Sequence, residues 1–236
     1  IKLNAIIDKK RPTTNKNVIT SDTYKLLKID KVDNAPIDEN IIKKINSIIK
    51  SINSDCVIFS DFRHGIFNNL SIKKFVNSIP KKVFKVADSQ VATRWGNISE
   101  FMDFDLITPN EKEARFSLAD QDSNIGTLAT KLRKENNYRN LILKLGSKGV
   151  LCVGNEIENE AFNIDSLTDN VVDAVGAGDA LLAYSTLVLY KSESLVLAGI
   201  IGSIAASCEC EIDGNIPIKV DKILEKISQL EKKVKI

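Results

Sequence analysis

Short, continuous apolar runs alternate with amphipathic segments along this chain, and this alternation restricts the fold more than any other feature. Residues 56–59 form one such run, and polar residues follow it at once. A short apolar run of this kind is typical of a strand that is buried on both faces of a parallel sheet. The segment before it carries isoleucines at the spacing of one helix face: Ile41, Ile42, Ile45, Ile48, Ile49 and Ile52. Strands that alternate with helices predict a mostly parallel sheet covered by helices on both faces.

The same pattern recurs to the end of the chain and predicts one domain. Strands are predicted over 56–59, 83–87, 105–108 and 141–145, with a hairpin-like pair over 150–153 and 161–164. Helices are predicted over 36–52, 71–78, 125–134, 178–190, 195–207 and 220–232, and one more contains Glu113. Three shorter β-like pieces, 3–7, 17–20 and 24–29, come before them. We therefore expect a small β segment over about 1–30 and an α/β core over 31–236.

Composition excludes several classes of protein. The 236 residues are 43% hydrophobic and 27% charged, which is typical of a globular domain. The net charge is +2 without a dense basic run, so no nucleic-acid partner is predicted. There is no apolar stretch of membrane-spanning length and no signal peptide, and the four cysteines lack Cys-x-x-Cys spacing. These features predict a cytoplasmic protein with reduced thiols and no membrane partner. The chain begins at Ile1 rather than Met, so we expect residues before it in the natural protein.

A turn of small residues before an apolar helical run, Gly176-Ala177-Gly178-Asp179, is the strongest functional signal. Such a turn lets backbone approach a ligand closely, and the N–H groups of the following helix suit a phosphate. A carboxylate beside an anion is unfavourable unless it has a function, such as accepting a proton from an attacking hydroxyl. The turn is not a P-loop, and Leu181 stands where a dinucleotide fingerprint needs its third glycine. Phosphoryl transfer is one interpretation, and a purely structural turn remains the other.

Polar clusters follow three of the predicted strands, at 61–65, 110–113 and 144–149, and a fourth cluster is the turn at 176–179. Ligands of open parallel sheets bind beyond the carboxyl ends of the strands. The recurrence of polar clusters at those ends favours one shared site over four unrelated loops.

Three of these stretches resemble the ribokinase-like carbohydrate kinases, also called the PfkB family. Residues 173–180 resemble the C-terminal signature of that family. Residues 108–113 resemble its Asn-x-x-Glu element, and residues 143–149 resemble its nucleotide-side strand and turn. The resemblance implies a three-layer α/β/α sandwich with a mostly parallel central sheet and a small β lid near the N-terminus.

Within that family, the chain is most similar to the kinase domain of the bifunctional ADP-heptose synthesis enzymes, of the D-glycero-β-D-manno-heptose-7-phosphate kinase type. Four stretches carry this similarity: 11–16, 27–30, 59–62 and 106–110. Two departures accompany it. The glycine-rich sugar-binding signature of the family has no counterpart here, so the N-terminal part of the family fold is expected to be absent from this sequence. Lys144 also stands where many relatives carry threonine.

The resemblance implies that the γ-phosphoryl group of ATP is transferred to a hydroxyl of a sugar or sugar phosphate, with Mg²⁺. Asp179 would be the general base, and the backbone of Gly176, Ala177 and Gly178 would form the anion hole. Asn110 and Glu113 would make contacts on the phosphate and Mg²⁺ side, with Glu113 reaching the metal through water. Lys144 and Gly146 would contact the nucleotide, and Asp61 would contact the sugar. For Asp61, capping of the next turn is the structural alternative.

Two other functional classes remain open. The first is a non-catalytic kinase-like module that binds a nucleotide or sugar, or that serves a fused or partner nucleotidyltransferase domain. The second is a dehydrogenase, which is disfavoured because no predicted strand is followed by a complete glycine fingerprint. The resemblance also suggests a homodimer that forms through the lid strands.

Overall fold

The chain folds into two separate sheets. In the computed structural model, residues 2–22, 24–90, 98–154, 161–214 and 216–234 are described. Strands β1 (Asn15–Ser21) and β2 (Tyr24–Lys31) form an antiparallel hairpin. The second sheet contains six strands in chain order: β3 (Cys56–Asp61), β4 (Phe84–Ser89), β5 (Leu106–Ile107), β6 (Asn140–Lys144), β7 (Val150–Gly154) and β8 (Ala161–Ile164).

The direction of the strands agrees with the sequence pattern. Strands β3 to β6 are parallel, whereas β6, β7 and β8 are antiparallel neighbours. The predicted parallel core and the predicted hairpin-like pair are therefore both confirmed. Since β3 to β6 share one direction, their carboxyl ends meet at one edge of the sheet.

Seven helices occur in the described part of the chain, and the predicted helices are confirmed. They are α1 (Glu39–Ser51), α2 (Asn69–Val76), α3 (Glu111–Leu118), α4 (Ile125–Glu135), α5 (Ala177–Ser192), α6 (Leu195–Cys210) and α7 (Val220–Val234). Local sequence sets several starts, because polar side chains accept hydrogen bonds from the first turns: Asp38, Asn68, Asn110, Asn124 and Ser194. No described helix is both long enough and apolar enough to cross a bilayer.

Alternate residues of the central strands pack into two different cores. Ala87, Ile107 and Leu141 join a core that contains residues of α1 to α4. Their neighbours Val86 and Leu106, together with Ile142, join a core built with α5 and α6. Because successive side chains of a strand point to opposite faces, the sheet is the middle of three layers. The expected α/β/α sandwich is thus confirmed.

The strand predicted over residues 3–7 is wrong. The described residues before β1 form no strand, and Leu3 and Ile7 are exposed. An extended segment needs a partner strand, and no described strand pairs with these residues. The segment is joined to the rest of the chain nearer β1, where the Arg11 guanidinium donates to the carbonyl oxygens of His64 and Ala35, each at 2.8 Å.

Candidate active site

A cleft of about 320 Å³ opens at the carboxyl edge of the sheet, where β4, β5 and β6 end and α5 begins. It brings together most of the predicted site residues, with two further ones. Its walls are formed by Asp88, Gln90, Asn110, Glu113, Lys144, Gly176, Gly178 and Asp179.

The N-terminus of α5 forms one wall of this cleft. Gly176 precedes the helix with a φ of 89°, a left-handed conformation that glycine adopts without steric cost. The first N–H groups of a helix have no acceptor within it, and the helix dipole adds partial positive charge there. Ala177 N–H makes only a long bond, 3.4 Å, to the carbonyl of Ala174. The N-terminus of α5 therefore offers backbone N–H groups and partial positive charge at the cleft.

The segment before α5 is held by hydrogen bonds to the C-terminal end of α6. The backbone N–H groups of Val172 and Asp173 both donate to the carbonyl of Cys210 at the end of α6, at 2.8 and 3.2 Å. The Asp173 carboxylate accepts from Val175 N–H at 3.2 Å, so this acid shapes the turn.

Asp179 lies in the first turn of α5, accessible to solvent at the cleft. Its pKa is raised above the ordinary value because the surrounding protein removes water and because the Asp88 carboxylate is near. The ammonium group of Lys144 acts in the opposite direction. A carboxylate with a raised pKa is a stronger base than a fully hydrated one, which suits proton abstraction.

Asn110 and Glu113 form the opposite wall. Asn110 caps α3 from the position before the helix, and Glu113 occupies its third position. Each side chain accepts a hydrogen bond from the backbone N–H of the other residue, and Glu113 is 6% exposed. Asn110 thus lies just before the first residue of α3, and the reciprocal cap holds the side chains of Asn110 and Glu113 at the cleft.

Lys144 ends β6, and its ammonium group lies 3.0 and 3.2 Å from the two carboxylate oxygens of Asp88. Thr108 donates its hydroxyl to the same carboxylate at 3.1 Å. Sequence reasoning missed Asp88 and Gln90 as site residues. The available signal was the one that identified the other clusters, namely polar residues directly after an apolar strand.

Asp61, the predicted sugar contact, does not line this cleft. It is 2% exposed and accepts hydrogen bonds from Arg63 Nη1 at 2.6 Å and Ser89 Oγ at 2.9 Å. It also accepts from the backbone N–H of Arg63 at 2.7 Å. The carboxylate therefore organises the loop after β3, which is the capping alternative considered for it.

A second cavity of about 520 Å³ adjoins the cleft and shares Asn110, Lys144 and Gly178 with it. Gly146 and Ala177 line it, and apolar side chains form much of the remainder: Val150, Leu167, Val171, Leu181 and Ala206. No single local pattern predicts these walls, because they come from strand β7, from the faces of α5 and α6, and from an irregular segment. A ligand with an anionic end and a less polar body would fit the two cavities together.

The donor set of the cleft suits Mg²⁺ that arrives with a phosphate ligand. Among the described residues, no group of three or more His, Cys, Asp or Glu side chains is arranged to hold a metal ion. Mg²⁺ keeps several waters and commonly binds one or two carboxylates together with substrate phosphates. Glu113, with Asp179 nearby, supplies a carboxylate of this kind at the cleft.

The chain thus has a three-layer α/β fold in which the N-terminus of a helix lies beside an acid at the carboxyl edge of the sheet. The pfkB family carbohydrate kinase pattern matches residues 73–220, more than half of the chain, and the chain belongs to that family. A "Bifunctional protein HldE" from Helicobacter hepaticus is 26% identical over 209 residues, which are 85% of this chain and 42% of that protein. The chain therefore spans less than half the length of that curated relative.

Solved structures show the same fold at low sequence identity. Phosphofructokinase-2 from Escherichia coli in complex with substrates and products matches with a TM-score of 0.72 and 16% identity, over 92% of this chain and 70% of that one. Ribokinase from Thermotoga maritima matches with a TM-score of 0.67 and 22% identity, over 92% and 70%. The family resemblance and the fold expected from it are confirmed.

Proposed function

We propose that this chain is an ATP-dependent kinase that transfers the γ-phosphoryl group to a hydroxyl of a sugar or sugar phosphate. One observation carries the proposal: Asp179, with a raised pKa, lies in the first turn of α5, beside backbone that suits an anion. Membership of the pfkB carbohydrate kinase family supports it.

In the proposed reaction, the acceptor hydroxyl attacks the γ-phosphorus while its proton passes to the Asp179 carboxylate. A bond forms between the hydroxyl oxygen and phosphorus, the bond to the β–γ bridging oxygen breaks, and ADP leaves. The N–H groups of Gly176, Ala177 and Gly178 stabilise the charge on the transferring group. Loss of one such donor typically costs about 2.7–4 kcal/mol of transition-state stabilisation.

Mg²⁺, when bound with the nucleotide, would neutralise charge on the phosphate oxygens. Asn110 and Glu113 would hold it, with Glu113 acting through water. Gly146 lies at a left-handed φ of 62°, and apart from its own atoms and those of its two chain neighbours, no heavy atom lies within 4 Å of where its Cβ would be. The nucleotide can therefore approach the backbone closely there, and Lys144 supplies a cation at the same cavity.

For the acceptor, we propose a sugar phosphate of the heptose 7-phosphate type, with Asp61 shaping the neighbouring loop or contacting sugar hydroxyls. For the whole protein, we propose a nucleotidyltransferase as a fused or partner domain, because the HldE relative reported above is a bifunctional protein. The four cysteines are free, which supports the cytoplasm as the compartment.

We also propose a homodimer through the β1–β2 hairpin. Every residue of β1 is exposed, and the hairpin presents unburied apolar side chains: Val18, Ile19, Leu26, Leu27 and Ile29. An isolated two-stranded hairpin is marginal in water, and exposed apolar clusters commonly mark interfaces.

The test is ADP release from ATP-Mg²⁺ with a panel of acceptors that includes D-glycero-β-D-manno-heptose 7-phosphate, ribose and fructose 6-phosphate. Asp179→Asn should abolish most turnover while ATP still binds, and Asp173→Asn is the nearby control for effects on the turn. An Asp179→Asn variant with wild-type rates would contradict the assignment of the base. ATP binding without turnover on any acceptor would favour the non-catalytic module instead.

A further inference from the structure

We propose that Asp88 and Lys144 act as one unit, in which Asp88 positions the Lys144 ammonium and Lys144 contacts the phosphoryl group that is transferred. This inference rests on the proposed kinase function and adds Asp88 to it as a positioning residue. It starts from the only Asp–Lys ion pair among the side chains that line the cleft in the described part of the chain.

The carboxylate of Asp88 is fixed from two strands. Asp88 lies within β4, next to its last residue, and the Thr108 hydroxyl, just beyond the end of β5, donates to its Oδ1 at 3.1 Å. Thr108 is itself fully buried, and its backbone N–H donates to the carbonyl of Ala87 at 3.3 Å. The carboxylate therefore has little freedom to follow a moving partner.

Lys144 reaches this carboxylate over the end of β5. In the sheet, β5 separates β4 from β6, and the backbone N–H of Lys144 donates to the carbonyl of Pro109 at 2.8 Å. An isolated bridge pairs the backbone of Lys144 with Asn110. The side chain thus crosses the cleft, and its ammonium group lies at the first turn of α5. An ideal Cβ added to Gly178 would be 3.4 Å from its Nζ.

The negative charges on the cleft walls explain why the Lys144 ammonium group is needed at the first turn of α5. Asp88, Glu113 and Asp179 place three carboxylates on the cleft walls, where a phosphate would otherwise meet repulsion. An ammonium group has three N–H donors, and no more than two are directed at Asp88. At least one donor can therefore bind a phosphate oxygen, for which lysine serves as a point charge. In the proposed unit, Asp88 holds the Lys144 ammonium so that it does not pair with the Asp179 carboxylate.

The test compares Lys144→Met, Lys144→Arg, Asp88→Asn and the double variant in the full chain. The matched control is Lys85→Met, since the Lys85 side chain is 16% exposed against 18% for Lys144. Lys85 lies on β4, as Asp88 does, but it pairs with Asp105 near the opposite end of that strand. Calorimetric titration with ATP and with adenosine separates phosphate contacts from contacts to the nucleoside, and thermal unfolding checks that each variant is folded.

Lys144→Met should weaken ATP binding by about tenfold to hundredfold, which corresponds to one hydrogen bond to a charged group, and leave adenosine binding unchanged. Lys144→Arg should restore part of the loss. Asp88→Asn should lower kcat with little change in the KM for ATP, since it misplaces a cation that is still present. The double variant should be no worse than Lys144→Met, because Asp88 acts through Lys144.

Equal ATP affinity in Lys144→Met and Lys85→Met would overturn the inference, as would additive losses in the double variant. A wild-type chain that does not bind ATP would overturn it too. A chain that binds ATP through Lys144 but phosphorylates no acceptor would confirm the phosphate contact and contradict only the proposed function.

Discussion

Asn110 and Glu113 cap helix α3 reciprocally. The Asn110 side chain accepts from Glu113 N–H at 2.9 Å, and a Glu113 carboxylate oxygen accepts from Asn110 N–H at 2.7 Å. This capping box satisfies two backbone donors and fixes both side chains at the cleft. The same two residues therefore serve the stability of α3 and the geometry proposed for the phosphate side.

Substitutions of Glu113 should separate these two roles. Glutamine at this position also caps a helix, so Glu113→Gln should unfold at nearly the wild-type urea concentration. Glu113→Ala removes the cap and should cost about 0.3–1.5 kcal/mol of stability. Both variants should lose kinase activity, and the Glu113→Gln loss should be smaller at high Mg²⁺. Wild-type activity of a folded Glu113→Gln variant would show that the charge is not needed.

The Asp61–Arg63 pair predicts a large stability effect. Both side chains are buried, and Asp61 also accepts from Ser89. Breaking a buried pair by removing one partner typically costs about 3–5 kcal/mol, so urea unfolding of Asp61→Ala should show a loss of this size. Lys74→Met, which breaks an exposed pair with Glu39, should cost less than about 1 kcal/mol. A stable Asp61→Ala variant with weakened acceptor binding would instead favour a direct contact with the sugar.

The sequence predicted those parts of the site whose residues follow regular elements. Residues 110–113, Lys144 and 176–179 follow or end apolar strands, or open a helix, and the sheet topology brings them to one edge. Asp88 also follows a predicted apolar strand, but the contacts with Lys144 and Thr108 that make it part of the site are formed only in the folded structure.

Other features could not be predicted, because they depend on tertiary contacts. Residues 3–7 have the composition of a strand, but no neighbouring strand is available for pairing in the described structure. The second cavity is assembled from the irregular segment around Leu167 and the face of α6 near Ala206, which have no local pattern in common.

The raised pKa of Asp179 predicts the acidic limb of the activity profile. The base must be ionised, so kcat/KM should rise with pH through a pKa above the ordinary carboxyl value. Asp88→Asn removes a nearby negative charge, so the limb should move to lower pH. Initial rates at subsaturating acceptor between pH 4 and 8 measure both positions, and Lys85→Met should leave the limb in place. A limb that moves upward in Asp88→Asn would contradict the electrostatic argument.

The exposed apolar side chains of the β1–β2 hairpin predict that the chain dimerises in a concentration-dependent way. Leu27 pairs with Ile19 across the two strands, and Ile29 lies two residues along on the same face. Burial of such a side chain stabilises an interface by about 1.5–3 kcal/mol, so Leu27→Lys should shift sedimentation velocity profiles toward the monomer. Lys28 points to the opposite face, and Lys28→Gln should keep the wild-type distribution. If the wild-type chain sediments as a monomer at every concentration, the hairpin does not join two copies, and its apolar face must be explained by another partner.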